Sequence, residues 1–323
     1  MSEDLNKTMN DTQPSSCYNP TAEKIGQTVA YCLIFLVSLT GNTVIGIIVY
    51  KTKAMRKPIN FFIVNMAMSD LLFPIFVIPR EIQKLHIDSW QIGGPLGQAL
   101  CKLVHFLSDV SLIVSVQSLV LIAVDRFGAV VFPLRSPLIS SKLCPFFILA
   151  TWIVALAFFS PFLFAYKLVE YPEGLECVLP WNEVFGESSF FRNYIVAYLL
   201  VFHLIPLLLI AILYIIIYTK LKSHKIPGEQ STNTGKQRLQ RERNVLKMAI
   251  AIVLGFAVCS MPYVMFMLLL FFASDFMKWS CGFQYFIIVA FFMARANCAI
   301  NPCICFIFSS NYRRKLKTLL KSK

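Results

Sequence analysis

Charge is what this chain has least of. Only 15% of its 323 residues are Asp, Glu, Lys or Arg, while 57% are hydrophobic. A water-soluble fold spends about a quarter of its residues on charge, so a mean hydropathy of +0.66 excludes a conventional soluble domain. The four histidines, His86, His105, His203 and His224, are scattered without metal-ligand spacing. There is no phosphate-binding glycine loop, and no Ser, His and Asp set in a recognisable arrangement. An enzyme is therefore not expected. No internal repeat is visible, which argues against transporter folds built from two related halves. The N-terminus shows no signal-peptide pattern of basic, apolar and cleavage regions, so the first apolar segment is expected to act as an uncleaved anchor.

What the chain does have is seven apolar segments, at about Ile25 to Tyr50, Ile59 to Ile82, Leu100 to Val131, Leu143 to Tyr166, Phe190 to Thr219, Leu246 to Phe272 and Phe283 to Phe308. Most exceed the roughly 20 residues a helix needs to cross a bilayer. The expected fold is an all-α membrane protein, a seven-transmembrane helix bundle. Residues 1–24 form an external tail, 25–308 the bundle with a flexible cytosolic loop at about 220–243, and 309–323 a short cytosolic tail. Within that tail Tyr312, Leu316, Leu319 and Leu320 recur at helical spacing among basic residues, a pattern suited to an amphipathic helix on the anionic inner leaflet.

Orientation follows from the bases. Of the 30 Lys and Arg, 21 fall on the side reached after segments one, three, five and seven. Eight fall on the other side and Arg295 lies inside a segment. The positive-inside rule then places the N-terminus outside and the C-terminus in the cytosol. The net charge of +13 is read as this topology signal, and no nucleic-acid partner is expected. On the outside, Asn6 and Asn10 begin glycosylation acceptor patterns. Cys17, Cys101, Cys177 and Cys281 also fall outside, where disulfides persist, and four cysteines allow three pairings.

The third segment organises the rest. From Cys101 to Arg126 is about 37 Å of helix, more than the roughly 30 Å of hydrocarbon, so the two residues lie near opposite faces. Charges within the bilayer are costly enough to invite a functional question, and three groups stand out. Asp70, Ser115, Asn297 and Asn301 offer a carboxylate and neutral oxygens, either a nest for sodium or a polar cluster that packs helices. Asp125 and Arg126 are adjacent and do not face each other well, which leaves Arg126 to pair with Glu242 at the cytosolic start of segment six or to reach lipid phosphate. Asp109 and Arg295 lie in the outer third, as a mutual pair or with Arg295 meeting an anionic group of a ligand. Arg80 and Glu81 are candidates for the same pocket.

Each segment also carries a marker: Gly41-Asn42, then Asn65 to Asp70, Asp125-Arg126-Phe127, Trp152, Pro206 with Tyr214, Phe256 with Cys259-Ser260-Met261-Pro262, and Asn301-Pro302. In this order and spacing the chain resembles rhodopsin-like (class A) G-protein-coupled receptors over about Ile25 to Leu320. The resemblance implies a Cys101 to Cys177 disulfide, with Cys17 to Cys281 as a second as in some peptide and chemokine receptors. It implies an allosteric sodium ion at Asp70, Ser115, Asn297 and Asn301, and no other cofactor. It further implies an inactive-state lock between Arg126 and Glu242, and an activation core at Pro206, Phe256, Ser260, Pro262 and Pro302. A plasma-membrane receptor of this kind opens by outward movement of segment six and admits a heterotrimeric G protein.

Three departures bear on signalling. Phe127 replaces the usual Tyr, Ser260 stands where the family usually has Trp, and Cys305 stands where Asn-Pro-x-x-Tyr ends, which deprives Tyr214 of its usual hydroxyl partner. The pocket is expected at Glu81, Ser108, Asp109 and Arg295. Ser108 occupies the place where amine receptors carry Asp, and segment seven contains no Lys for a retinal Schiff base. The passages Met55 to Asn60 and Ser69 to Pro79 are similar to neuropeptide receptors, so a peptide ligand is expected, with an amine or a lipid as alternatives. A channel or transporter is the rival class, and it predicts ligand-independent flux.

Overall fold

The computed structural model describes residues 20–132, 138–186, 188–223, 233–272 and 281–321. Seven helical spans among these are long and apolar enough to cross a membrane. The first is α1 (Pro20–Lys51); the second is α2 (Pro58–Asp70) continued by α3 (Ile78–His86); the third and fourth are α4 (Gly94–Val131) and α5 (Cys144–Ala165). A hairpin of β1 (Lys167–Tyr171) and β2 (Gly174–Val178) and the short α6 (Trp181–Phe185) lead to the fifth span, α7 (Ser188–Leu199) continued by α8 (Ile205–Ser223). The sixth is α9 (Asn233–Phe272), the seventh α10 (Cys281–Phe308), and α11 (Ser310–Lys321) follows. Asn6, Asn10 and Cys17 lie outside the described residues. Cys281 is disulfide-bonded.

In the connection expected to be flexible at about 220–243, with helical spacing resuming at Gln237, span five runs on to Ser223 and span six begins at Asn233, four residues before that spacing. The run Gln237 to Lys247 is rich in Gln, Arg, Glu and Lys, good helix formers that need no membrane around them. Leu33, Leu149, Ile215, Val258 and Ile307 are exposed on the outside of the bundle, where hydrocarbon replaces water as solvent.

Prolines shape the spans. A proline ring clashes with the carbonyl four residues back and donates no hydrogen bond, and widened π turns sit at Phe73–Val77 before Pro79 and at Leu200–Leu204 before Pro206. Where the helix stays regular, another group takes the freed carbonyl. Ser160 donates to Ala157 O at 2.8 Å beside Pro161. Beside Pro302, the carbonyl of Cys298 accepts from Asn42 Nδ2 at 3.0 Å and Ser38 Oγ at 3.3 Å. Gly41 makes this approach of spans one and seven possible, since a Cβ there would fall 2.6 Å from the Pro302 ring.

Asn65 joins three spans. Its amide donates to Ser118 Oγ at 2.9 Å and Thr151 Oγ1 at 3.1 Å, and its oxygen accepts from Trp152 Nε1 at 2.9 Å. At the other end of the bundle, Cys101 is bonded to Cys177, which ties the hairpin to span three. Gln98 reinforces the tie by accepting from Leu168 N at 2.8 Å, and Trp90 N donates to Leu175 O at 2.6 Å. Gly174, at φ +129°, takes the turn between the strands where a side chain would be strained. The C-terminal helix α11 folds against the bundle: Tyr312 is buried and donates to Asn60 Oδ1 at 3.2 Å, with Leu316 and Leu319 packed on the same core and Leu320 exposed.

Candidate ligand-binding site

A cavity of about 480 Å³ opens at the disulfide end of the bundle. Glu81, Ser108, Asp109 and Arg295, the four residues expected to form a pocket, all line it. Spans two, three and seven supply them, and spans five and six close the far wall with Tyr198 and Tyr263. The cavity reaches down to Ser260, Asn297 and Asp70. Ser260 turns its small side chain back to donate to Phe256 O at 2.8 Å, so the position where a Trp indole is usual leaves the floor open.

The charges inside are arranged otherwise than expected. Arg295 does not pair with Asp109. Its Nη2 lies 2.7 Å from Glu81 Oε2, and its Nη1 donates to Tyr31 Oη at 2.6 Å. The guanidinium also stands 5.7 Å from the Tyr31 ring centre and 5.3 Å from that of Phe291, so two aromatic faces add cation–π attraction. The π turn at Phe73–Val77 lies between Asp70 and Glu81 and changes the phase of everything beyond it, which a regular helical count misses. Arg80, expected near this pocket, instead stacks on Trp90 at 4.7 Å. Asp109 lines the same cavity as Tyr198 and Tyr263 of spans five and six and forms no ion pair with Arg295 among the described residues.

Below the cavity Asp70 is 2% exposed. Its two oxygens accept from Ser115 Oγ at 2.6 Å and Asn301 Nδ2 at 2.8 Å, and Ser69 Oγ lies 3.0 Å from Ser115 Oγ. The amide oxygens of Asn297 and Asn301 are buried without a hydrogen-bond partner. A buried carboxylate flanked by hydroxyls and idle amide oxygens is the donor set a small hard cation takes, so these residues fit sodium. The remaining oxygens of a buried polar cluster are ordinarily satisfied.

At the opposite end, Arg126 reaches the neighbour that helix spacing turns away from it. Its Nη2 and Nε lie 2.6 and 3.1 Å from Oδ2 of the neighbouring Asp125. Adjacent side chains point about 100° apart on a helix, but the guanidinium has the reach to fold back. Asp125 is 7% exposed, and a buried carboxylate this close to the membrane edge holds the nearest cation. The side chain of Glu242 lies outside the described residues, so the expected lock is placed on one side only. Tyr214 is buried near Arg126 and its hydroxyl is unpartnered; Cys305 is fully buried. Pro206, Phe256, Pro262 and Pro302 lie in the helical interiors of spans five, six and seven, Phe256 fully buried.

Two features escaped the sequence reading. The hairpin is one: Leu168 to Val178 alternates around Pro172-Glu173-Gly174, the signal for paired strands. His203, 1% exposed with both ring nitrogens unpartnered, lies on the cavity wall; a lone histidine in an apolar run carries no signal of its role.

Residues 41–304 match the model of the 7 transmembrane receptor (rhodopsin family). The chain is 29% identical over 323 residues to a QRFP-like peptide receptor of Branchiostoma floridae, covering 96% of this chain and 82% of that protein. It is 29% identical over 285 residues to the substance-K receptor of Homo sapiens, covering 88% and 70%. It is 27% identical over 323 residues to galanin receptor 2b of Danio rerio, covering 98% and 80%. These relatives are receptors, not enzymes. With seven spans in the order the markers require, a cap disulfide and a matched segment covering most of its length, the chain is a multi-pass membrane protein and belongs to the rhodopsin family of seven-transmembrane receptors.

Proposed function

We propose that this chain is a plasma-membrane receptor for an extracellular peptide, and that peptide binding activates a heterotrimeric G protein by moving span six outward from span three. The observation that carries the reading is the cavity of about 480 Å³, capped by a hairpin that the Cys101 to Cys177 bond holds to span three. A site of that size accepts the end of a peptide rather than its whole length. Relatives named as peptide, substance-K and galanin receptors support the ligand class. The excess of bases on the Arg126 side supports a cytosolic C-terminus, and the exposed Leu320 and basic residues of α11 suit contact with anionic lipid.

Sodium is part of the proposal. Asp70 would hold it with Ser115, Asn297 and Asn301, and the ion would supply a positive charge that favours the inactive packing of spans two, three and seven. Ligand entering from above competes with that packing because the cavity is continuous with Asp70. The test is a peptide-library screen on cells carrying a G-protein dissociation reporter, with sodium exchanged for N-methylglucamine. Peptide-evoked dissociation that disappears in Arg126→Leu, and a sodium effect that disappears in Asp70→Asn, are the expected results. Ligand-independent ion flux with no effect of guanine nucleotide on binding would sink the reading in favour of a channel or transporter.

A further inference from the structure

The cavity holds two carboxylates in its outer part, and their surroundings differ. Glu81 is neutralised by Arg295 at 2.7 Å. Asp109 lines the same space, but its carboxylate has no ion pair or hydrogen bond among the described residues. Lys84 also lines the rim and forms no ion pair with Asp109 among the described residues. The cavity around Asp109 is aromatic: Tyr166, Tyr198 and Tyr263 line it too, and Tyr194 packs on the lining residue Phe162. Tyr194 cannot donate to it, because that hydroxyl is given to Phe158 O at 2.6 Å.

A carboxylate on the wall of a cavity within the bilayer, without a counter-charge, is costly. The same desolvation makes an arriving cation worth more there than at a surface, and tyrosine faces add attraction to a guanidinium or ammonium. Arg295 is already committed to Glu81, Tyr31 and two ring faces, so it cannot turn to Asp109 without breaking that set. Lys84 at the rim is also without an ion pair among the described residues, so the outer part is not negative as a whole; the unanswered charge on the span-three wall, at Asp109, is.

We propose that Asp109 anchors a cationic group of the ligand, a guanidinium or ammonium near one end of a peptide. This rests on the peptide-receptor reading above and names what that peptide must carry. Asp109 lies eight residues, about 12 Å, inside Cys101 along the helix. An extended chain covers that depth in about four residues, which places the basic group about four residues inward of the point where the peptide enters the mouth.

The probes are synthetic hexapeptide libraries in three matched sets, with arginine, its neutral isostere citrulline, or glutamate at each scanned position. Fluorescent peptides are tested on membranes carrying the full-length chain. Binders are expected in the arginine set, weakened about 10- to 100-fold by citrulline, the range for a hydrogen bond to a charged group. In Asp109→Asn that ratio falls to about one while citrulline peptides keep their wild-type affinity, a readout a misfolded variant would not give. Asp109→Glu keeps the ratio. Citrulline or glutamate peptides that bind as tightly as arginine ones, or an arginine preference that survives in Asp109→Asn, overturn the proposal while leaving the peptide reading intact. No binding from any set removes both.

Discussion

Neutralising Glu81 tests how the pocket distributes its charge. Glu81→Gln leaves the Arg295 guanidinium with Tyr31 and two ring faces but no counter-ion, and Arg295→Met leaves the Glu81 carboxylate alone. The side chains are 18% and 24% exposed, between an exposed pair worth about 0–1 kcal/mol and a buried one whose breakage costs about 3–5 kcal/mol. A coupling energy of about 2 kcal/mol is expected from the double-mutant cycle, so the double variant is less destabilised than the two single losses added together. Because heating of a solubilised membrane protein is seldom reversible, the cycle is best read as apparent melting temperatures at one scan rate, where the coupling amounts to about 4 °C. The control is the cycle of Asp109→Asn with Arg295→Met, expected to be additive within about 0.5 kcal/mol because these residues share no contact. A coupling at 109 and 295 as large as that at 81 and 295, or none at the latter, refutes the assignment.

Two further outcomes follow from packing. Gly41→Ala drives a Cβ to 2.6 Å from the Pro302 ring, and overpacking of about 1–3 kcal/mol should lower the melting midpoint; Gly46→Ala, with nothing within 4 Å, should leave it unchanged or slightly raised, and equal effects would contradict the close approach. His203→Phe removes two buried, unpartnered nitrogens and should raise the midpoint by the equivalent of about 1 kcal/mol or more, whereas a fall would show that the imidazole is satisfied in the working receptor.

The spans and their order were legible in the amino-acid sequence because a bilayer imposes a length and an apolarity that few other folds demand. The polar nest was legible for the same reason: so few charges survive inside the membrane that Asp70, Asn297 and Asn301 mark themselves. Ser260 was legible only as a departure bearing on signalling; that it leaves the cavity floor open is seen in the structure. Partner choice was not legible. Whether Arg295 meets Glu81 or Asp109 depends on how far span two is rotated beyond its π turn, and whether Arg126 folds back on Asp125 depends on burial at the bundle edge. Both are settled by the packing of neighbouring helices, not by periodicity along one of them. Position alone left four external cysteines three pairings; the resemblance implied Cys101 to Cys177, and the structure bonds that pair, bringing span three and the hairpin together. That same assembly leaves Asp109 among tyrosines with its charge unmet, a property of facing surfaces from several spans that no single stretch of sequence contains.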